Sequence, residues 1–194
     1  MAADTDTYPV RFEIDYQAEH DRLTSFFRLL WAIPILVILC VLTSGEGAGI
    51  SGAIALMITF KRRYPRWWFD FSLELTRFST RVFAYLFLLT DKYPSTVDKQ
   101  SVRLDIKYPD AGRDLNRWLP LVKWLLAIPH IVILVFLIVG ALFASIFAWF
   151  AILFTGRYPK GLFDYVVGVM RWGTRVNAYA FLLATDNYPP FSLS

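Results

Sequence analysis

"LLTDKYP" at residues 88–94 returns as "LLATDNYP" at 182–189. One small chain therefore closes two apolar segments with the same phrase, Thr-Asp-x-Tyr-Pro. Reading outward from it, the two halves match at a spacing of roughly 94 residues. "VRFEIDY" (10–16) aligns with "VRLDIKY" (102–108), and "RLLWAIPILVIL" (28–39) with "KWLLAIPHIVIL" (123–134). "KRRYPRWWFDF" (61–71) aligns with "TGRYPKGLFDY" (155–165), and "TRVFAYLFLLTDKYP" (80–94) with "TRVNAYAFLLATDNYP" (174–189), with Ala184 inserted. The fold is a tandem duplication, with units at 1–98 and 99–194.

Each unit has four parts. The first alternates apolar Val10, Phe12, Ile14 and Tyr16 with Arg11, Glu13 and Asp15, the pattern of a half-buried strand, and Val102–Tyr108 repeats it. Each strand is alone in its unit, so the two are expected to pair with each other. The second and third parts are apolar segments. From Leu29 to Phe60 the only charge is Glu46, and from Trp124 to Gly156 there is none. The chain of 194 residues is 56% hydrophobic, with a mean hydropathy of +0.44. Runs that long exceed what so small a soluble core can bury, so they read as membrane helices. "TSGEGAG" (43–49) is a turn, and a weaker break falls near Gly140. A single helix over 119–154 would measure roughly 54 Å against a hydrocarbon core of about 30 Å. The expectation is therefore two short hairpins, four spans at about 26–43, 48–60, 118–138 and 141–155, with Pro34 and Pro129 kinking the first helix of each.

The fourth part is an amphipathic helix, at about 66–90 and 160–185, opening after Pro65 or Pro159. Asp70, Glu74, Arg77 and Arg81 fall on one stripe, and Asp164, Arg171 and Arg175 repeat it with Gly168 in place of Glu74. Charges at mid-bilayer cost about 2.5 to 3.5 kcal/mol each on insertion scales, which argues that these helices lie in the interface. Neither hairpin tip carries Lys or Arg, so the positive-inside rule puts both termini, both strands and both amphipathic helices on the cytoplasmic side of the inner membrane. Thr-Asp-x-Tyr-Pro then reads as a structural stop. Tyr93 and Tyr188 suit the headgroup zone, and Asp91 and Asp186 are expected to pair with nearby arginines, Arg81 and Arg175.

Units ending in Arg-x-x-x-Tyr-x-x-Leu-Leu and Thr-Asp-x-Tyr-Pro, after a Gly-Arg-Tyr-Pro turn, resemble a widespread bacterial membrane family catalogued only as a domain of unknown function. The resemblance runs from about Tyr8 to Phe191. It is closer in the second unit, "FTGRYPKGLFDYVVGVMRWGTRVNAYAFLLATDNYPPFSL", than at "FKRRYPRWWFDF" of the first. It implies a membrane fold and no activity.

Sites are scarce. His20 and His130 are the only histidines, neither with ligands at metal spacing, and His130 is expected to bond to backbone. The single cysteine, Cys40, excludes an internal disulfide and reads as a buried, inert thiol. "MAADTDTYPV" lacks the pattern of a cleaved signal peptide. There is no phosphate loop, nucleophile elbow or dinucleotide fingerprint. No catalytic residue, metal or cofactor is expected. The binding candidates are the stripe residues Arg77, Arg81, Arg171, Arg175, Asp70 and Asp164, set against a solvated helix face. With a net charge of +4, anionic membrane lipids are the expected partners, with a homo-oligomer or larger membrane complex open and nucleic acid excluded. The function expected is a non-enzymatic scaffold or accessory subunit that binds lipid or a partner and shapes the membrane. The alternatives are a small transporter or channel, or an interfacial lipid-modifying enzyme.

Overall fold

The structure is a computed structural model and describes residues 8–44, 48–95 and 100–194. Its elements are β1 (Val10–Ile14), α1 (Arg22–Ser44), α2 (Ala48–Lys61), α3 (Arg66–Leu86), β2 (Val102–Ile106), α4 (Lys123–Leu126), α5 (Ile128–Thr155) and α6 (Lys160–Ala180), with a 3₁₀ turn at Leu119–Leu121. The chain is mainly helical with one small sheet.

The strands pair as their alternation requires. β1 and β2 are antiparallel, with Val10 opposite Ile106, Phe12 opposite Leu104 and Ile14 opposite Val102. Val10, Phe12, Val102, Leu104 and Ile106 are buried, and Arg11, Glu13, Arg103 and Asp105 face outward. Phe12 and Leu104 hold the same place in their units, so the ladder is centred on a residue facing its own counterpart. That is the arrangement a twofold relation between duplicated units produces.

The four-span expectation is corrected. Among the described residues two helices, Arg22–Ser44 and Ile128–Thr155, are long and apolar enough to cross a membrane, and Ser51–Lys61 is a shorter apolar helix. α5 runs unbroken through Gly140. A lone glycine costs a helix only about 1 kcal/mol, and no polar turn residues stand beside it to take up freed backbone groups. Gly140 instead makes room for Tyr165 of α6, whose hydroxyl lies against it and donates to Leu137 O at 3.0 Å. In the first unit α1 packs on α3 and α5, while α2 packs on the 3₁₀ turn. Part of the expected turn, residues 45–47, lies outside the described residues. Pro34 sits inside α1, but Pro129 occupies the first turn of α5, where its missing N–H costs nothing.

α6 packs antiparallel along α5 and the short α4 before it. Tyr165 meets Leu137, Trp172 meets His130 and Tyr179 meets Lys123. The first unit matches, with Ala32, Ile35 and Leu39 of α1 clustered with Leu75, Phe78, Val82 and Tyr85 of α3. The strands cross over between units, β1 lying on α6 and β2 on α3. α3 and α6 therefore form a middle layer between the sheet and the long apolar helices.

Both amphipathic helices end sooner than expected, at Leu86 and Ala180. Each is followed by a buried leucine with positive φ, Leu88 at 61° and Leu183 at 58°. Behind these leucines, Leu89 N donates to Ala84 O and Ala184 N to Ala178 O, both at 2.9 Å, satisfying carbonyls of the last turns.

Candidate functional site

The repeated phrase closes each unit around a buried cation. In the first unit that cation is Arg28, 2% exposed. Its Nη1 donates to Tyr85 O at 2.8 Å and Thr90 O at 3.0 Å, and its Nη2 pairs with Asp91 Oδ1. Asp91 also accepts from Gln17 Nε2 and Asp21 N, both at 3.0 Å, and its Oδ1 lies 2.8 Å from His20 Nδ1. Burial works to raise the Asp91 pKa. The His20 contact, the Asp21 N–H and the Arg28 charge outweigh it and hold the carboxyl below its ordinary value.

The second unit repeats the arrangement with lysine. Lys123, fully buried, donates from Nζ to Thr185 O at 2.7 Å and pairs with Asp186 Oδ1 at 2.7 Å. Asp186 Oδ2 accepts from Asn116 N. Burial lowers the Lys123 pKa, and Asp186 opposes the shift.

The threonine, aspartate and tyrosine of the phrase each have a task. The hydroxyls of Thr90 and Thr185 accept from Lys92 N at 3.2 Å and Asn187 N at 3.1 Å, fixing the turn. The aspartate meets the cation. Tyr93 and Tyr188 pack edge-on against Tyr85 and Tyr179, centroids 5.7 Å apart in both units. Those inner rings lie under the cations, with Arg28 4.6 Å from the Tyr85 centroid and Lys123 Nζ 5.2 Å from that of Tyr179. The expected partners were different: Arg81 donates to Ser95 O at 2.6 Å and Arg175 to Ser194 O at 2.8 Å. The true partners occupy a basic position that both units keep at the entrance to the apolar run, Arg28 in one and Lys123 in the other.

The stripe arginines bind the chain itself. Arg77 Nε donates to Leu104 O at 2.8 Å and Arg171 Nε to Phe12 O at 3.2 Å, so each holds the central strand residue of the other unit. Arg77 also pairs with Glu74 at 2.5 Å and Asp105 at 2.6 Å. Arg171 Nη1 donates to Leu193 O at 3.2 Å. Leu193 passes so close to Gly168 that a Cβ there would lie 2.8 Å from it, which is why this position cannot carry the counterpart of Glu74. Asp70 and Asp164 are exposed, Asp70 3.6 Å from Arg66.

Reciprocal tyrosine bonds lock the units together. Tyr16 donates to Tyr158 O and Tyr108 to Tyr64 O, both at 2.7 Å. Tyr64 donates to Leu182 O at 2.6 Å and Tyr158 to Phe87 O at 3.3 Å. Burial pushes the Tyr158 pKa up to about 12, keeping this hydroxyl a donor.

His130 and Cys40 depart from expectation. His130 Nδ1 accepts from Trp172 Nε1 at 3.0 Å, and the ring stacks on Phe191 at 3.9 Å, so an aromatic side chain replaces the backbone partner. Cys40 is exposed on α1. Among the described residues no group of three His, Cys, Asp or Glu could hold a metal.

The profile of a Domain of unknown function (DUF4389) matches residues 22–97 and 117–192, most of both units. No curated protein and no solved structure matches the chain. Each pairing of a buried cation with the aspartate of the phrase forms a clasp, and both pairs, Arg28 with Asp91 and Lys123 with Asp186, lie within the matched segments; the chain belongs to the DUF4389 family, carrying the domain as two tandem copies.

Proposed function

We propose that this chain is a non-enzymatic membrane protein, a lipid- or partner-binding scaffold or accessory subunit seated at the cytoplasmic face of the inner membrane. The observation that carries the reading is the surface of α1 and α5. Leu29, Trp31, Val41, Phe136, Phe147 and Phe154 are each more than half exposed, a patch far beyond what a protein surrounded by water presents.

Packing supports an in-plane seat. β1 runs along α6, with Tyr8 beside Arg175, Phe12 O on Arg171 and Tyr16 against Phe163, and α6 runs along α5. An α5 standing across the bilayer would carry the exposed Asp164, next to Tyr165 at the level of Leu137 and Gly140, toward mid-hydrocarbon depth, at about 2.5 to 3.5 kcal/mol for a charge at the centre. At 28 residues α5 is also about 42 Å long, well over the hydrocarbon thickness of about 30 Å. In this reading α1 and α5 lie along one leaflet, and the sheet and both termini face the cytoplasm. The asymmetric insertion gives the membrane-shaping action a physical basis, and the net charge of +4 favours anionic lipid.

The test is alkaline carbonate extraction of membranes from expressing cells, followed by lipid analysis of the detergent-purified protein. The chain should stay in the pellet and carry phospholipid after purification. Release into the carbonate supernatant would remove the proposal.

A further inference from the structure

A cleft of about 560 Å³ opens between the first half of α1, the end of α3 and α5. Its walls are apolar, among them Phe26, Leu29, Phe83, Ile146 and Phe150. Two polar residues line it that the clasp leaves incompletely satisfied. Ser25, 1% exposed, has no partner for Oγ, and Arg28, 2% exposed, has none for Nε. Buried donors are rarely left without an acceptor. The volume is that of a small-molecule site, and such sites pair apolar walls with a few convergent polar groups.

The chemistry of the acceptor follows from the clasp. The Arg28 charge is already matched by Asp91, and its Nη1 by two carbonyls. A second carboxylate would meet Asp91 at close range, so the vacant donors suit a neutral oxygen. Arg28 stands at the entrance to the apolar run that begins at Leu29. Its guanidinium sits where the apolar cleft meets the polar clasp, a boundary that suits the ester group at the head of an acyl chain. The second unit lacks the feature: Pro120 replaces Ser25, and Lys123 is engaged by Thr185 and Asp186.

We infer that this cleft holds one acyl chain of a membrane lipid, its ester carbonyl accepting from Ser25 Oγ and Arg28 Nε; this rests on the lipid-binding reading above. The polar pair that anchors the site, Ser25 and Arg28, is present in the first unit alone and gives the duplicated fold a single lipid seat.

The experiment uses the full chain in phosphatidylcholine vesicles containing a trace of phosphatidylcholine with a diazirine on one acyl chain. After illumination, labelled peptides are mapped by mass spectrometry. Labelling should concentrate on Phe26, Leu142, Ile146 and Phe150, above the equally apolar face at Val132–Val139. Ser25→Ala should reduce cleft labelling about fivefold, the share of one hydrogen bond. Ile146→Trp fills the cleft from a half-exposed position and should abolish it, while labelling elsewhere on α5 stays unchanged and reports an intact fold. A free diazirine fatty acid should label the cleft less than the phospholipid. Uniform labelling along α5, indifference to both substitutions, or preference for the free acid would each overturn the inference. Uniform labelling in a chain that stays with the vesicles would leave the membrane reading standing, whereas a chain that does not partition would end both.

Discussion

Replacing Asp91 and Asp186 by asparagine, one at a time, separates the two clasps by chemistry alone. Both substitutions preserve shape and remove one negative charge beside a buried cation. Arg28 has a side chain 3% exposed and that of Lys123 is fully buried. Breaking a buried pair by removing one partner costs about 3 to 5 kcal/mol when the survivor must stay charged. The guanidinium must, so Asp91→Asn should cost about that much. Lysine has another course. Burial already lowers the Lys123 pKa, and without Asp186 it falls further, so the amine sheds its proton and remains a neutral donor to Thr185 O. The loss for Asp186→Asn should then stay near 1 to 3 kcal/mol, the scale of one charged hydrogen bond. For a domain of this size about 2 to 4 °C accompanies each kcal/mol, which puts the Asp91→Asn shift in Tm at roughly 6 to 20 °C. Raising the pH from 7 to 9 should shrink the Asp186→Asn deficit and leave that of Asp91→Asn unchanged. Thermal unfolding in detergent, read by near-ultraviolet circular dichroism, measures both. An Asp186→Asn loss equal to or larger than that of Asp91→Asn, or unresponsive to pH, would refute the reasoning.

Other outcomes follow from the same contacts. Arg77→Gln and Arg171→Gln should each cost about 1 to 3 kcal/mol by freeing a central strand carbonyl. Because Leu104 and Phe12 face each other, the double variant should lose less than the sum, which a double-mutant cycle by thermal melts would reveal. Gly168→Ala should destabilise by about 1 to 3 kcal/mol, since Leu193 lies in backbone contact and is held by Arg171, whereas Gly161→Ala, with open space around it, should not, and paired melts decide. Acid titration should show stability that is full above the ordinary carboxylate pKa of 3.8 and lost as pH falls through the lowered Asp91 value, and Asp91→Asn should flatten that limb.

The duplication, the strand pairing and the family resemblance were legible because they rest on local pattern and self-similarity. "VRFEIDY" and "VRLDIKY" declare both strand faces, and a lone strand needs a partner. What escaped was decided by packing. Gly140 reads as a break until Tyr165 is brought against it. Leu88 and Leu183 carry no sign of the left-handed backbone that ends their helices. The clasp pairs residues separated by 63 positions, Arg28 with Asp91 and Lys123 with Asp186 (91 − 28 and 186 − 123). Only alignment of the two units against each other exposes Arg28 and Lys123 as a shared basic position. The stripe arginines looked like a surface because helical periodicity cannot reveal a strand arriving from the other unit.

The most direct test of the account places single cysteines, on a Cys40→Ala background, at Glu13 on the outer face of the sheet and at Phe143 midway along α5. Reaction with a membrane-impermeant maleimide is followed in intact cells, in inside-out vesicles and after detergent. Glu13→Cys should be protected in cells and react in inside-out vesicles, while Phe143→Cys should react in neither until detergent removes the lipid. Reaction of Phe143→Cys at the rate of Glu13→Cys in undisturbed vesicles would contradict the account.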